Sequence, residues 1–159
     1  MPLYDANGNE LVAGPSPQVV VQQMLGGVRR APSPGRKPQL IQLASLTASA
    51  LVAGPPTGAS SPSAGPIQPV GQYLEALLWA VIVGGTGTPA GLQFGLQIAD
   101  QYNGVYALHP SGLSAASAAT SGILGVIAVT QLGVAVRAIC IAATAPTAGT
   151  ITIWGAFKV

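Results

Sequence analysis

The sequence predicts an all-β protein: a β-sandwich of jelly-roll type preceded by an extended, Pro/Gly-rich N-terminal arm. Three observations carry this prediction. Between residues 71 and 159, short runs alternate apolar and polar residues, β-branched types dominate, and glycines fall between the runs. Before residue 71 the composition changes, and 11 of the 14 prolines lie there. Only 6% of the 159 residues are charged, against about 25% in an ordinary soluble domain.

Residues 1–70 form the predicted arm. Stretches such as GPSP, APSPGRKP and GPPTGASSPSAGP run extended, because proline fixes φ and has no N–H to donate. LVAGP occurs at 11–15 and again at 51–55, but no third copy follows, so the chain is not a repeat array. Two short ordered pieces are expected within the arm. PQVVVQQML (17–25) reads as a strand or a helical turn. PQLIQLASLTASALVAG (38–54) begins as a strand, with Leu40, Gln42 and Ala44 in alternation, and then loses its period.

Residues 71–159 form the predicted sandwich, with six short strands. YLEALLWAVIV (73–83) is a near-continuous apolar run. LQFGLQIAD (92–100) sets Leu92, Phe94, Leu96 and Ile98 on one face, and QYNG supplies an Asn-Gly turn before VYAL. ILGVIAVTQ (123–131) and VAVRAICIA (134–142) flank a short Gln-Leu-Gly connection. TITIWGAFKV (150–159) alternates Ile151, Ile153, Gly155, Phe157 and Val159 with Thr150, Thr152, Trp154, Ala156 and Lys158.

One pattern is written twice. GGTGTPAGLQFGLQI (84–98) and ATAPTAGTITIWGAF (143–157) each pass from small residues and threonines through a proline and Ala-Gly into an alternating run. Since proline is excluded from central ladders, it marks a loop. Two similar hairpins, facing each other across the sandwich, are the expectation.

The charged residues are Asp5, Glu10, Arg29, Arg30, Arg36, Lys37, Glu75, Asp100, Arg137 and Lys158. A surface this poor in charge is expected to be covered by neighbouring subunits or to sit in lipid. Leu113 to Val136 is 24 residues without charge, long enough to span a bilayer. Its weakly apolar start, its glycines and the threonines around it argue for strands, so a membrane partner is not expected. The N-terminus, MPLYDANGNE, has no basic stretch followed by an apolar one, so no secretory signal is expected.

No chemistry of catalysis is legible, and the chain is expected not to be an enzyme. His109, the only histidine, precedes a proline and reads as a loop residue making an ordinary hydrogen bond. Four acids give no carboxylate cluster, and no glycine loop leads into a helix, so neither cofactor nor metal is expected. Cys140 stands alone and reads as a small buried hydrophobe.

VRRAPSPGRKP (28–38) gathers Arg29, Arg30, Arg36 and Lys37, four of the six cations. The cluster either docks on an acidic partner surface or keeps a solvated linker extended. With no aromatic interleaved, it fits nucleic acid poorly. Trp79 and Trp154 read as core or as subunit interface. Tyr102 and Tyr106 flank the Asn103-Gly104 turn as exposed contacts.

The strand–GTGTPAG–strand block, DQYNGVY (100–106) and the closing TAPTAGTITIWGAFKV together resemble the small β-sandwich decoration, or cement, proteins of tailed-bacteriophage capsids. The resemblance covers roughly residues 70–159, and the Pro-rich first half is similar to the arms such proteins lay over neighbouring subunits. It implies a non-enzymatic virion protein on the outer capsid surface, made in the host cytoplasm. It also implies the major capsid protein as partner, a homotrimeric state, and a role in bridging and stabilising capsid subunits. The chain departs from a typical decoration protein in its very low charge, which implies extensive burial in the virion. A tail, connector or fibre subunit is the alternative, and a small membrane protein a third.

Overall fold

The computed structural model describes residues 37–99 and 106–159, together with two short strands, β1 (Leu3–Tyr4) and β2 (Glu10–Leu11). Contacts divide the chain into two compact units, Met1–Arg36 and Lys37–Val159. In the first, β1 and β2 pair antiparallel, Leu3 opposite Leu11 and Tyr4 opposite Glu10. The expected strand or turn at 17–25 lies outside the described residues.

The second unit is all-β. Its strands are β3 (Gln39–Thr47), β4 (Ala64–Pro69), β5 (Glu75–Thr86), β6 (Gln93–Ala99), β7 (Tyr106–Leu113), β8 (Gly122–Thr130), β9 (Ala135–Ile141) and β10 (Ala148–Lys158). They form two antiparallel sheets of four, in the orders β3-β10-β5-β8 and β4-β9-β6-β7. Between them lies one core. Leu43, Leu46, Leu78, Ile82, Ile151, Ile153 and Phe157 come from the first sheet, and Phe94, Leu96, Val136, Ala138 and Cys140 from the second. Period-two burial along β5 and β10 is what a sheet with one face in the core requires.

The six strands expected after residue 71 are β5 to β10. The boundary near residue 70, however, falls inside the second unit. β3 and β4, assigned to the arm, are an edge strand of each sheet, and the unit begins at Lys37. Proline at 66 and 69 argued for irregular chain, but an edge strand tolerates proline because one side of its ladder is unpaired. The loss of period after Leu40 and Gln42 also has a physical cause. β10 opposes Gln42 with Trp154 and Ala44 with Ile153, so Leu43 is an extra residue in a bulge. Leu43 and Ala44 are therefore both buried, and Ala44 faces the core rather than sharing the outer face of Gln42.

The two expected hairpins are corrected as well. β5 and β6 lie in different sheets, as do β9 and β10, so each repeated block is an arch that carries the chain from one sheet to the other. The arches do not face each other across the sandwich. They run side by side, antiparallel and hydrogen-bonded. Ala90 and Thr144 exchange both backbone bonds at 3.0 Å, Thr147 N–H donates to Thr86 O at 2.9 Å, and the two threonine hydroxyls meet at 2.8 Å. Pro89 and Pro146 are both buried. The glycine of each Ala-Gly pair sits where the arches touch. Gly149 has φ +113°, and a Cβ there would lie 2.8 Å from Gly85 Cα. Gly91 has φ +63°, and its Cβ would lie 3.0 Å from Ala143 Cβ. The motif is repeated because the two arches are partners.

The uncharged run Leu113–Val136 contributes the end of β7, all of β8 and the start of β9. No helix among the described residues is long and apolar enough to cross a membrane.

Candidate functional site

Among the described residues, no loop is pinned over the outer face of the β3-β10-β5-β8 sheet. Register places its side chains in rows. Leu40, Ala156, Leu77 and Ala128 make one row, and Gln42, Trp154, Trp79 and Val126 the next. Then come Ser45, Thr152, Val81 and Ile123, and finally Thr47, Thr150 and Val83. Trp79 and Trp154 are thus direct cross-strand neighbours, half-buried on the outer face rather than in the core. Around them stand Leu40, Leu77, Val83, Ile123 and Val126, with Ile123 66% and Val126 58% exposed. A shallow apolar hollow opens at one end, lined by Pro38, Leu77, Ala128 and Ala156. Among the described residues of these strands the charges on this face are Glu75 and Lys158, which neutralise each other at its margin at 2.8 Å. The hydrogen bond and the charge of Glu75 hold the Lys158 ammonium above its ordinary pKa.

The other sheet differs. Its outer face carries Arg137, 1% exposed, and Gln97, 2% exposed. Arg137 Nε donates to Gln97 Oε1 at 2.8 Å. Its Nη1 donates to the carbonyls of Gly58 (2.8 Å) and Ala59 (3.2 Å), and its Nη2 to that of Pro56 (3.0 Å). Gln97 Nε2 donates to the same Pro56 carbonyl at 2.8 Å. The guanidinium lies 3.4 Å from the centroid of the Tyr106 ring. Burial pushes its pKa below the ordinary arginine value, and the Tyr106 phenol acts in the opposite sense. The proline-rich β3–β4 connection is thereby clamped over the sheet, and β9 is buried along its whole length. Arg137 is the structural residue that sequence reasoning passed over. The available signal was a lone cation in an apolar run, VAVRAICIA, where a buried charge must find partners.

The remaining predicted site residues are placed as follows. Tyr106 is engaged by Arg137 on the covered sheet, so it is part of this clamp rather than an exposed contact beside a turn. Lys37 is exposed at the start of the second unit. Arg29, Arg30, Arg36, Tyr102 and the Asn103-Gly104 turn lie outside the described residues.

His109 is not in a loop. It occupies β7 and is buried. Nδ1 accepts the Ser111 backbone N–H at 3.1 Å, which assigns the proton to Nε2, and Nε2 donates to Gln131 O at 3.2 Å. It thus ties β7 to the β8–β9 connection, where Gln131 takes a positive φ of 57°. Cys140 is fully buried, and burial pushes its thiol up to about 12. Among the described residues no three His, Cys, Asp or Glu side chains lie close enough together to hold a metal ion.

An apolar face with two adjacent tryptophans at its centre and its ion pair at the margin can do one thing well, which is to lose water against another surface. No protein-family model, no curated protein and no solved structure matches the chain.

Proposed function

We propose that this chain is a non-enzymatic structural protein of a virion, a capsid decoration protein that bridges and stabilises neighbouring subunits of the major capsid protein. The observation that carries the reading is the bare Trp79–Trp154 face. Four strands about 4.8 Å apart and some ten residues long present about 600 Å², close to the ~800 Å² per partner of a standard interface. With its single ion pair closed on itself, the face suits an apolar, uncharged partner surface.

The order of the strands in the two sheets supports the same reading. Every connection between consecutive strands from β3 to β10, save β6–β7, passes from one sheet to the other. We read β3-β10-β5-β8 over β4-β9-β6-β7 as a jelly roll of two nested Greek keys, an architecture that capsid proteins share with lectin domains and cupins. Repetition of a modest contact over a symmetric shell multiplies its effect. The basic segment with Arg29, Arg30, Arg36 and Lys37 adds attraction to an acidic partner surface.

Co-sedimentation of the full chain with undecorated capsids tests this. Wild type is expected to pellet with capsids, and the Trp79→Ser/Trp154→Ser double variant to stay in solution. Rings or filaments that ignore capsids would instead assign the chain to a tail, connector or fibre.

A further inference from the structure

The two sheets offer four edge strands, and three of them are closed to strand addition. β4 carries Pro66 and Pro69. β7 carries Pro110, has Gly112 at φ +75°, and shifts register against β6 between Gly95 and Gln97. Prolines and bulges of this kind are how native edges refuse a further strand. β3 has no proline, but β4 lies against its middle. A Cβ on Gly65 would meet Leu43 O at 2.7 Å and Ala44 Cβ at 2.6 Å. The fourth edge, β8, has none of this protection over most of its length. GILGVIAVT contains no proline and no charge, and among the described residues only β5 pairs with it. Its register shift lies toward one end, between the Ala80–Gly125 and Val81–Ile123 pairs, which leaves Gly125–Thr130 as regular ladder. Even Ile127, on the core side, is only half-buried.

We infer that β8 pairs antiparallel with β8 of a second copy, joining two β3-β10-β5-β8 sheets into one sheet of eight strands. The partner must present an extended, uncharged backbone, and β8 itself does so. No like charges would oppose each other across the new ladder. Two-fold symmetry brings the same strand to itself in the antiparallel sense. Because the two four-stranded sheets offer one open edge among the described residues, pairing through it closes at two chains and does not propagate. It also sets two bare faces side by side, about 1,200 Å² in all. This inference goes beyond the capsid reading and holds or fails without it.

The test is the molar mass of the full chain by light scattering over a dilution series. The expected species has two chains. Val126→Lys, on an exposed outer position, is expected to weaken it about 100-fold by placing like charges across the joint, while Val126→Thr stays within about threefold of wild type. Circular dichroism checks that Val126→Lys is folded. Independently, Val126→Cys or Ala128→Cys is expected to give a disulfide-linked pair of chains on mild oxidation, and Thr47→Cys on β3 is not. The buried Cys140 thiol does not compete. A monomer at every concentration, a two-chain or three-chain species indifferent to Val126→Lys, or cross-linking through Thr47 in place of β8 would each overturn the inference.

Discussion

The two sheets bury their inner faces in the same core and treat their outer faces in opposite ways. Over β4-β9-β6-β7, the β3–β4 connection is pinned by Arg137, whose donors go to Gln97 and to the carbonyls of Pro56, Gly58 and Ala59. Over β3-β10-β5-β8 nothing among the described residues is pinned, and tryptophan, valine, isoleucine and leucine stand at the surface. The edges differ too: β4 and β7 carry prolines, β3 is backed by β4, and β8 has neither protection. A charge is buried where it organises the chain's own backbone, whereas the described residues of the other outer face carry only the Glu75–Lys158 pair. One outer face is covered by the chain's own β3–β4 connection, and over the other the described residues place no such cover.

This division is sharpest if damage to one sheet changes stability and damage to the other changes association. The largest effect is expected from Arg137→Ala, which removes the bonds to Gln97 Oε1 and to the carbonyls of Pro56, Gly58 and Ala59, together with the cation over the Tyr106 ring. Charged hydrogen bonds contribute about 1.5–3 kcal/mol each and are not additive, so a loss of about 4 kcal/mol is expected. Urea unfolding measures it, and the two-chain species should persist for as long as the protein is folded. A loss below about 1 kcal/mol would mean that the clamp does not hold the covered face.

Next in size is an alkaline effect seated in β9. The Cys140 thiol is held near 12 when folded, against an ordinary 9.0. The unfolded chain therefore releases its proton first as pH rises. The Cys140 contribution is fully present below pH 9.0, declines above it, and is lost toward the folded value near 12. By linkage that amounts to about 2–3 kcal/mol by pH 11. Cys140→Ala should flatten the slope of stability between pH 9.0 and 11, and an unchanged slope would assign it elsewhere.

On the bare sheet, Trp79→Ser with Trp154→Ser should cost only about 1–2 kcal/mol of stability, because the pair is half-buried. Capsid binding should fall at least tenfold, as expected for aromatic anchors. A double variant that unfolds readily yet still binds would invert the comparison. Smallest of all is the Glu75–Lys158 pair. Its raised Lys158 pKa means that any contribution is complete below pH 10.5 and fades as pH rises beyond it. Glu75→Gln should leave the melting temperature at neutral pH nearly unchanged.

What could be read from the chain alone was whatever depends on local chemistry. Alternation and β-branching marked β5, β6, β8, β9 and β10, since the period of a half-buried strand is a property of neighbouring residues, while a turn signal marked only the start of β7. The solitary Cys140 pointed to a buried thiol. Tertiary structure alone decided the rest, because it turned on which strands become neighbours. Only pairing shows that Pro66 and Pro69 sit harmlessly in an edge strand, or that the bulge at Leu43 turns Ala44 inward. The same holds for Trp79 meeting Trp154 on the outer face rather than in the core. The repeated Pro-Ala-Gly pattern was visible as a repeat, yet its meaning as two arches bonded to each other requires contacts across more than fifty positions of chain. Arg137 was hidden for the same reason: its partners at 56–59 and 97 lie far away in sequence, and an isolated cation says nothing of who will satisfy it.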